Sequence, residues 1–373
     1  MRLTINREHL LKGLMTAAKA IGSKAPVPLL MNLKLVLNEK GLTVIGGNNE
    51  LTISTVVPNM VGEKQIIRNA KFGATLVASK IITEIARRME GEELAIEVVD
   101  ETIVKIDDGK SSFKLNSIKA DEYPEVDLDP TGVVFDIMCR DFSKLVDQTA
   151  FAASNKEQRP ILTAVNLEAA GGKLVATATD SARLARKEVV IDDVVSFSSN
   201  VPARTLIEIT KMFENSEKVT LAVSDKKILF SFDNTLVSSR LINGDYPNTK
   251  NIIPKTFNYF LEVNSQELVS SMERASLLSV ERENVVKISM TEDTLEVASK
   301  SAQVGSANEK LSTFQFSGDR LEMSFNSEYV IAAIRAVKAE DVTIAFIGEM
   351  KPFVIKNNKD DSVVQLVTPV RTF

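Results

Sequence analysis

The side chains that most often run acid–base, nucleophilic or metal chemistry are nearly missing from this chain. Its 373 residues include one histidine, His9, and one cysteine, Cys139. A Ser-His-Asp or Cys-His relay would need His9 as its base, and His9 falls in an amphipathic helical stretch beside no motif. A lone cysteine excludes an intrachain disulfide and a thiolate metal cluster, and a single imidazole is too few for a histidine-built centre. There is no G-x-x-x-x-G-K-[ST] phosphate loop and no G-x-G-x-x-G after a strand. Carboxylate pairs are inevitable among 50 acidic residues and single out nothing. The composition points to a protein that binds rather than one that catalyses, with no metal and no cofactor.

What remains is charge and pattern. Lys and Arg number 45, and the net charge is −5, so the chain is not a polycation that coats nucleic acid. With 44% hydrophobic and 25% charged residues it reads as globular rather than disordered. No stretch of eighteen uncharged apolar residues could span a membrane. The N-terminal MRLTINREHLLKG carries charges where a signal peptide needs an apolar core, so the expected location is cytoplasmic.

Candidate binding residues must be positioned by a repeating framework. LTINREHLLKGL from Leu3, FDIMCRDFSKLV from Phe135 and LEVNSQELVSSM from Leu261 share a strand-then-helix pattern at offsets of 132 and 126 residues. A second set starts at Val77 and Val201, and its third copy lies within SFNSEYVIAAIRAV. It repeats at 124 residues and aligns Ile82, Leu206 and Val330; Ile85, Ile209 and Ala333; and Met89, Phe213 and Val337. Tyr123-Pro124 and Tyr246-Pro247 recur at the ends of the first two units. Three copies fill the chain, with boundaries at 1–127, 128–254 and 255–373, where Pro, Asp and Asn cluster. Alternating runs such as SFKLNSI (112–118), ILFSF (228–232) and VVQLV (363–367), with turns such as Asp107-Asp108-Gly109, predict antiparallel hairpins. The expected fold class is α+β: three similar domains, each with two helices packed on antiparallel sheets. That makes six helices and about two dozen strands.

Helical projection at about 100° per residue sorts the charges. Lys12 and Lys19 share one face of the first helix, opposite Leu10, Leu14, Ala18 and Ile21. In the second, Ile81, Ile82, Ile85 and Met89 are expected inside, with Lys80, Glu84 and Arg87 outside. Arg140, Lys144 and Gln148 should line the third, Arg204, Glu208 and Lys211 the fourth, Arg274 the fifth, and Arg335 with Lys338 the sixth. Any one such face is ordinary for a half-buried helix. Their recurrence in an acidic chain whose acids cluster in turns points to a polyanion held on one surface. No helix-turn-helix, zinc finger or aromatic platform is present, so contacts would be to phosphates and independent of base sequence. Glu84 and Glu208 on the same faces would weaken the grip, as suits a protein that moves along a duplex.

RPILTAV (159–165), ATATDSARLA (176–185), LINGDYPNTKNIIP (241–254), FNSEYVIAAIRAV (325–337) and MKPFVIK…QLVTPVRTF (350–373) resemble the bacterial DNA sliding clamp family, the beta subunits of DNA polymerase III, in order and at family spacing. The resemblance implies a homodimer closed head to tail into a ring around duplex DNA, with clamp domains whose helices line the hole. It implies a non-catalytic, nucleoid-associated processivity factor that tethers the replicative polymerase, a clamp-loading ATPase and other proteins carrying short clamp-binding peptides. It places a peptide pocket at Leu162, Thr179, Ser181, Arg183, Leu184, Pro247, Ile252, Thr368, Pro369, Val370 and Arg371. DNA contacts would come from Lys24, Lys80, Gln158 and Arg159, joined by the helix cations Lys12, Lys19, Arg87, Arg204, Lys211 and Arg335. The chain–chain interface would set Phe113 and Leu115, on an edge strand, against Leu277 and Leu278 of the second chain. Ala182 stands where members commonly carry histidine, Thr368 where an apolar residue is frequent, and Pro160-Ile161 where aromatics often follow the arginine. The alternatives are a divergent paralogue, a repeat-built scaffold without a replicative role, and a hydrolase using a carboxylate pair.

Overall fold

The computed structural model describes residues 1–22, 27–214, 216–279 and 284–371. Six α-helices stand among them: α1 Arg7–Ala18, α2 Ser79–Arg88, α3 Cys139–Asp147, α4 Ala203–Thr210, α5 Ser265–Ser276 and α6 Ser327–Val337. Each follows directly on a strand, and the repeat is legible in their starting points. Arg7, Cys139 and Ser265 begin one series; Ser79, Ala203 and Ser327 begin the other at intervals of 124.

The local causes are plain. Asn6, Asn264 and Asn326 sit at the N-caps of α1, α5 and α6, and their side chains accept the otherwise orphaned backbone N–H groups of the first turn. Leu10, Leu14 and Ala17 bury one face of α1; Ile82 and Ala86 do so for α2, and Val330, Ala333, Ile334 and Val337 for α6. Ile81 departs from expectation. It is 50% exposed, and Thr83 is buried instead, which turns the apolar face of α2 toward Ile82 and Ala86. Gln148 departs as well. It lies just past α3 and is buried, its side-chain amide donating to the Ala336 carbonyl at 2.7 Å while its backbone carbonyl accepts from Gln365 at 2.8 Å. A buried amide needs such partners, so Gln148 is a joint in the core and not part of a basic face.

The chain divides into two compact units: Met1–Cys139 with Glu208–Leu241, and Arg140–Ile207 with Ile242–Phe373. The first unit holds a 13-stranded antiparallel sheet. In it the second repeat's strands Val133–Met138, Lys218–Val223, Lys227–Phe232 and Thr235–Arg240 continue the first repeat's sheet through the ladder of Thr235–Arg240 with Leu51–Pro58. The second unit holds a nine-stranded and a four-stranded sheet, and in the nine-stranded one Arg183–Val190 pairs with Asp360–Val367. Buried Leu, Ile and Val from both helices of the first repeat fill one core, and their counterparts in the third repeat fill another. Burial pushes the Cys139 thiol up to about 11. Among the described residues no helix is long and apolar enough to cross a membrane.

Candidate functional site

The hairpin that joins strands Lys173–Thr179 and Arg183–Val190 makes one wall of a cleft in the second unit. Asp180 organises its turn: Oδ1 accepts from the backbone of Ala182 at 2.9 Å and of Arg183 at 3.0 Å. Ser181 takes φ of +80°, which turns the chain back on itself. The Arg183 guanidinium bonds Asp180 Oδ2 through Nε at 3.0 Å and lies 4.5 Å from the Tyr329 ring centroid. Tyr246 accepts from the Thr179 amide at 3.0 Å and donates to the Ala164 carbonyl at 3.4 Å, tying the segment after Gly244 to the hairpin. Burial pushes its phenol up to about 12.

The cleft has a volume of about 470 Å³ and is lined by Arg159, Ile161, Leu162, Thr179, Ser181, Arg183, Leu184, Pro247, Thr249, Ile252, Leu366 and Thr368. Leu162 and Leu184 are buried in its floor, whereas Ile252 remains 48% exposed at its side. An apolar floor with hydroxyls and a guanidinium at the rim suits a short extended segment with apolar side chains. Thr368 donates both its amide and its hydroxyl to the Ala182 carbonyl, at 2.9 and 2.7 Å. Its hydroxyl proton is therefore engaged within the protein.

The cations lie elsewhere, on helix faces turned to solvent. Lys12, Lys80, Arg87, Arg140, Lys144, Arg204, Arg274 and Arg335 are exposed on α1 to α6; Lys19 and Lys338 cap the ends of α1 and α6, and Lys211 follows the end of α4. Many carry a carboxylate: Lys12 with Glu214 at 2.7 Å, Lys211 with Glu208 at 2.9 Å, Arg335 with Glu273 at 2.5 Å, and Arg87 with Glu84. The Lys12 ammonium holds the Glu214 carboxyl below its usual range. Among the described residues Lys19, Lys80 and Arg204 have no ion pair. Phe113 is 40% exposed on strand Ser112–Ile118, and Leu277 is 73% exposed just past α5.

Three domain models match the chain in succession: DNA polymerase III beta subunit N-terminal domain over residues 1–127, central domain over 136–248 and C-terminal domain over 250–371. This chain belongs to the DNA polymerase III beta subunit family. It is 33% identical to the beta sliding clamp of Bacillus subtilis and 34% identical to that of Halalkalibacterium halodurans, in each case over the whole of both chains. Crystal structures of the sliding clamp from Bacillus subtilis and the DNA polymerase III beta chain from Streptococcus pneumoniae superpose over the full length with TM-scores of 0.96 and 0.95, at 31% and 30% identity. The fold is the expected one, three clamp domains carrying helices on antiparallel sheets.

Within this clamp fold the structure gathers eight of the expected pocket residues around one cleft: Leu162, Thr179, Ser181, Arg183, Leu184, Pro247, Ile252 and Thr368. Pro369 is not among its walls, and Val370 and Arg371 line a separate depression with Lys287, Glu322 and Met350. Sequence reasoning missed Ile161, Thr249 and Leu366, although alternation along VVQLV does point Leu366 to the same side as Val364 and Thr368. Arg159, which the family resemblance assigns to DNA, sits exposed at the cleft rim, and Gln158 is exposed beside it. Lys24 lies outside the described residues.

Proposed function

We propose that this chain is a DNA polymerase processivity factor. It acts as a head-to-tail homodimeric ring that encircles duplex DNA without reading its sequence and holds the replicative polymerase and other proteins by short peptides in the cleft. Its clamp domains are 1–127, 128–254 and 255–373. It is an accessory subunit that performs no catalysis and works on the DNA of the nucleoid. A clamp-loading ATPase would open it, because a closed ring cannot thread an internal site unaided.

One observation carries the ring. Three turns share one device, in which a side-chain oxygen accepts two successive amides: Asn48 from Glu50 and Leu51, Asp180 from Ala182 and Arg183, and Ser301 from Gln303 and Val304. The strands leaving these turns, Leu51–Pro58, Arg183–Val190 and Gly305–Leu311, are each the third strand after the first helix of their repeat, and so are equivalent. The first pairs with the strand that closes the second repeat, Leu51 opposite Ser239; the second pairs with the strand that closes the third, Arg183 opposite Val367. Among the described residues Gly305–Leu311 has no such partner and is a sheet edge. The strand closing the first repeat, Ser112–Ile118, is bonded on one side only over residues 112–116. One unused donor strand and one unused acceptor strand on the same chain support a heterologous junction between copies, which becomes a ring when the rotation closes. Phe113 and Leu115 lie on one of these strands, and Leu277 and Leu278 just past the helix packed beside the other.

Encirclement makes tight phosphate binding unnecessary, which accommodates a net charge of −5 in a chain whose six helices each expose a cation. Two measurements test the reading. Light scattering should return twice the 40.9 kDa chain mass. After loading, protein should be retained on nicked circular DNA and lost when that DNA is cut; equal retention on both would sink the topological account.

A further inference from the structure

Arg87, Lys211 and Arg335 occupy one position in the three repeats, 124 residues apart. All three are exposed, with 47%, 60% and 62% of their side-chain surface in water, and all three are held by a carboxylate. In the first two repeats the acid is one helical turn back, Glu84 and Glu208. In the third that place is occupied by Ala332, and Arg335 is bonded instead by Glu273, which reaches over from α5 at 2.5 Å. The same cation is neutralised three times by two different structural routes. Helix stabilisation does not explain this, because the third pair joins separate helices. Stability does not explain it either, because exposed pairs contribute little. Other helix cations are paired too, Lys12, Arg274 and Lys338 among them, but the equivalent first-turn cations Lys80 and Arg204 have no ion pair among the described residues, so only the later position is neutralised in all three repeats.

We propose that Glu84, Glu208 and Glu273 limit the grip on DNA by holding three equivalent cations back from the phosphates. The inference rests on the DNA-tracking reading above and adds to it the residues that set how tightly the ring holds. A cation already paired must give up its carboxylate before it can meet a phosphate, and its release of bound counterions is correspondingly small. Freeing it restores one phosphate contact, which steepens the dependence of log K on log salt by about 0.9.

The test uses the purified full-length chain and a fluorescent 30-base-pair linear duplex, with no loader. Binding is followed by anisotropy from about 50 to about 200 mM salt. The triple variant Glu84→Gln, Glu208→Gln, Glu273→Gln should bind more tightly at low salt. The three aligned cations alone should make its affinity fall about 40-fold more than that of the parent across this range, and Arg88, which Glu84 also holds, can only add to that. The control Glu63→Gln, Glu125→Gln, Asp225→Asn makes the same change in net charge at exposed sites with no ion pair among the described residues, and should follow the parent slope. Thermal melting of both variants should match the parent. Superimposable slopes for the triple variant and the parent, or an equal steepening in the control, would overturn the proposal while leaving the ring reading intact. A parent protein that binds no duplex at any salt and is not retained on nicked circles would overturn both.

Discussion

Ile252 and Leu184 face the same cleft from opposite states of burial, which separates binding from folding. Ile252 is 48% exposed and Leu184 only 3%. Full burial of an aliphatic side chain is worth about 1.5–3 kcal/mol, so covering the open half of Ile252 with a bound peptide would recover about 0.7–1.5 kcal/mol. Ile252→Ala should therefore weaken peptide binding about fivefold while changing stability by no more than about 0.5 kcal/mol. Leu184→Ala should instead cost about 2–5 kcal/mol of stability through the cavity it leaves. The assay is fluorescence anisotropy of a labelled decapeptide carrying Gln and two apolar residues near its end, with urea unfolding in parallel. If Ile252→Ala left the affinity unchanged at parental stability, the cleft would not be where the peptide's apolar side chains go.

Three further outcomes are expected. Tyr246 is half-buried and its raised ionisation favours the neutral phenol in the folded state, so its contribution is intact below about pH 10 and is lost as pH climbs toward about 12; Tyr246→Phe should flatten that alkaline limb in urea melts and cost about 1–3 kcal/mol at pH 8 by leaving the Thr179 amide without its acceptor. Lys187 is buried and bonded to Asp360 at 2.8 Å and Ser362 at 2.5 Å across the ladder between the second and third repeats; Lys187→Ala should lower unfolding free energy by about 3 kcal/mol, and a change within error would mean the pair is idle. Lys80→Glu with Arg204→Glu should weaken duplex binding at low salt and reduce the salt slope by about two; an unchanged slope would remove both from the DNA face.

The repeat was legible because its signals are local. Alternation in the hairpins and one apolar stripe per helix each fix an element without reference to distant parts of the chain. Strand limits follow suit: the run SFKLNSI at 112–118 is strand Ser112–Ile118, and ILFSF at 228–232 lies within Lys227–Phe232. The failures are all matters of tertiary context. Projection placed Ile81 inside, but the buried face of α2 runs through Ile82, Thr83 and Ala86, and Ile81 faces water. Gln148 looked like one more polar residue on a basic face, yet it is claimed by Ala336 and Gln365 from elsewhere in the chain. Spacing links Glu84 to Arg87 and Glu208 to Lys211, but no rule links Glu273 to Arg335, or Lys12 to a carboxylate 202 residues away, so the neutralised state of those two cations could not be read in advance. The cleft shows both sides of this. Thr179, Ser181 and Arg183 stand in a stretch that the family resemblance marks, whereas Ile161 and Leu366 look like any core aliphatic until the fold brings them to one wall.

The single thiol has a practical use. Cys139 is buried, and that burial pushes its thiol up to about 11, so at neutral pH it is almost wholly in the unreactive thiol form. Maleimide dyes should pass it by, and cysteines introduced on the surface can be tagged in the otherwise native sequence. A fluorophore on strand Ser112–Ile118 and another on Gly305–Leu311 would then report directly, by energy transfer, on when two copies come together and when they part.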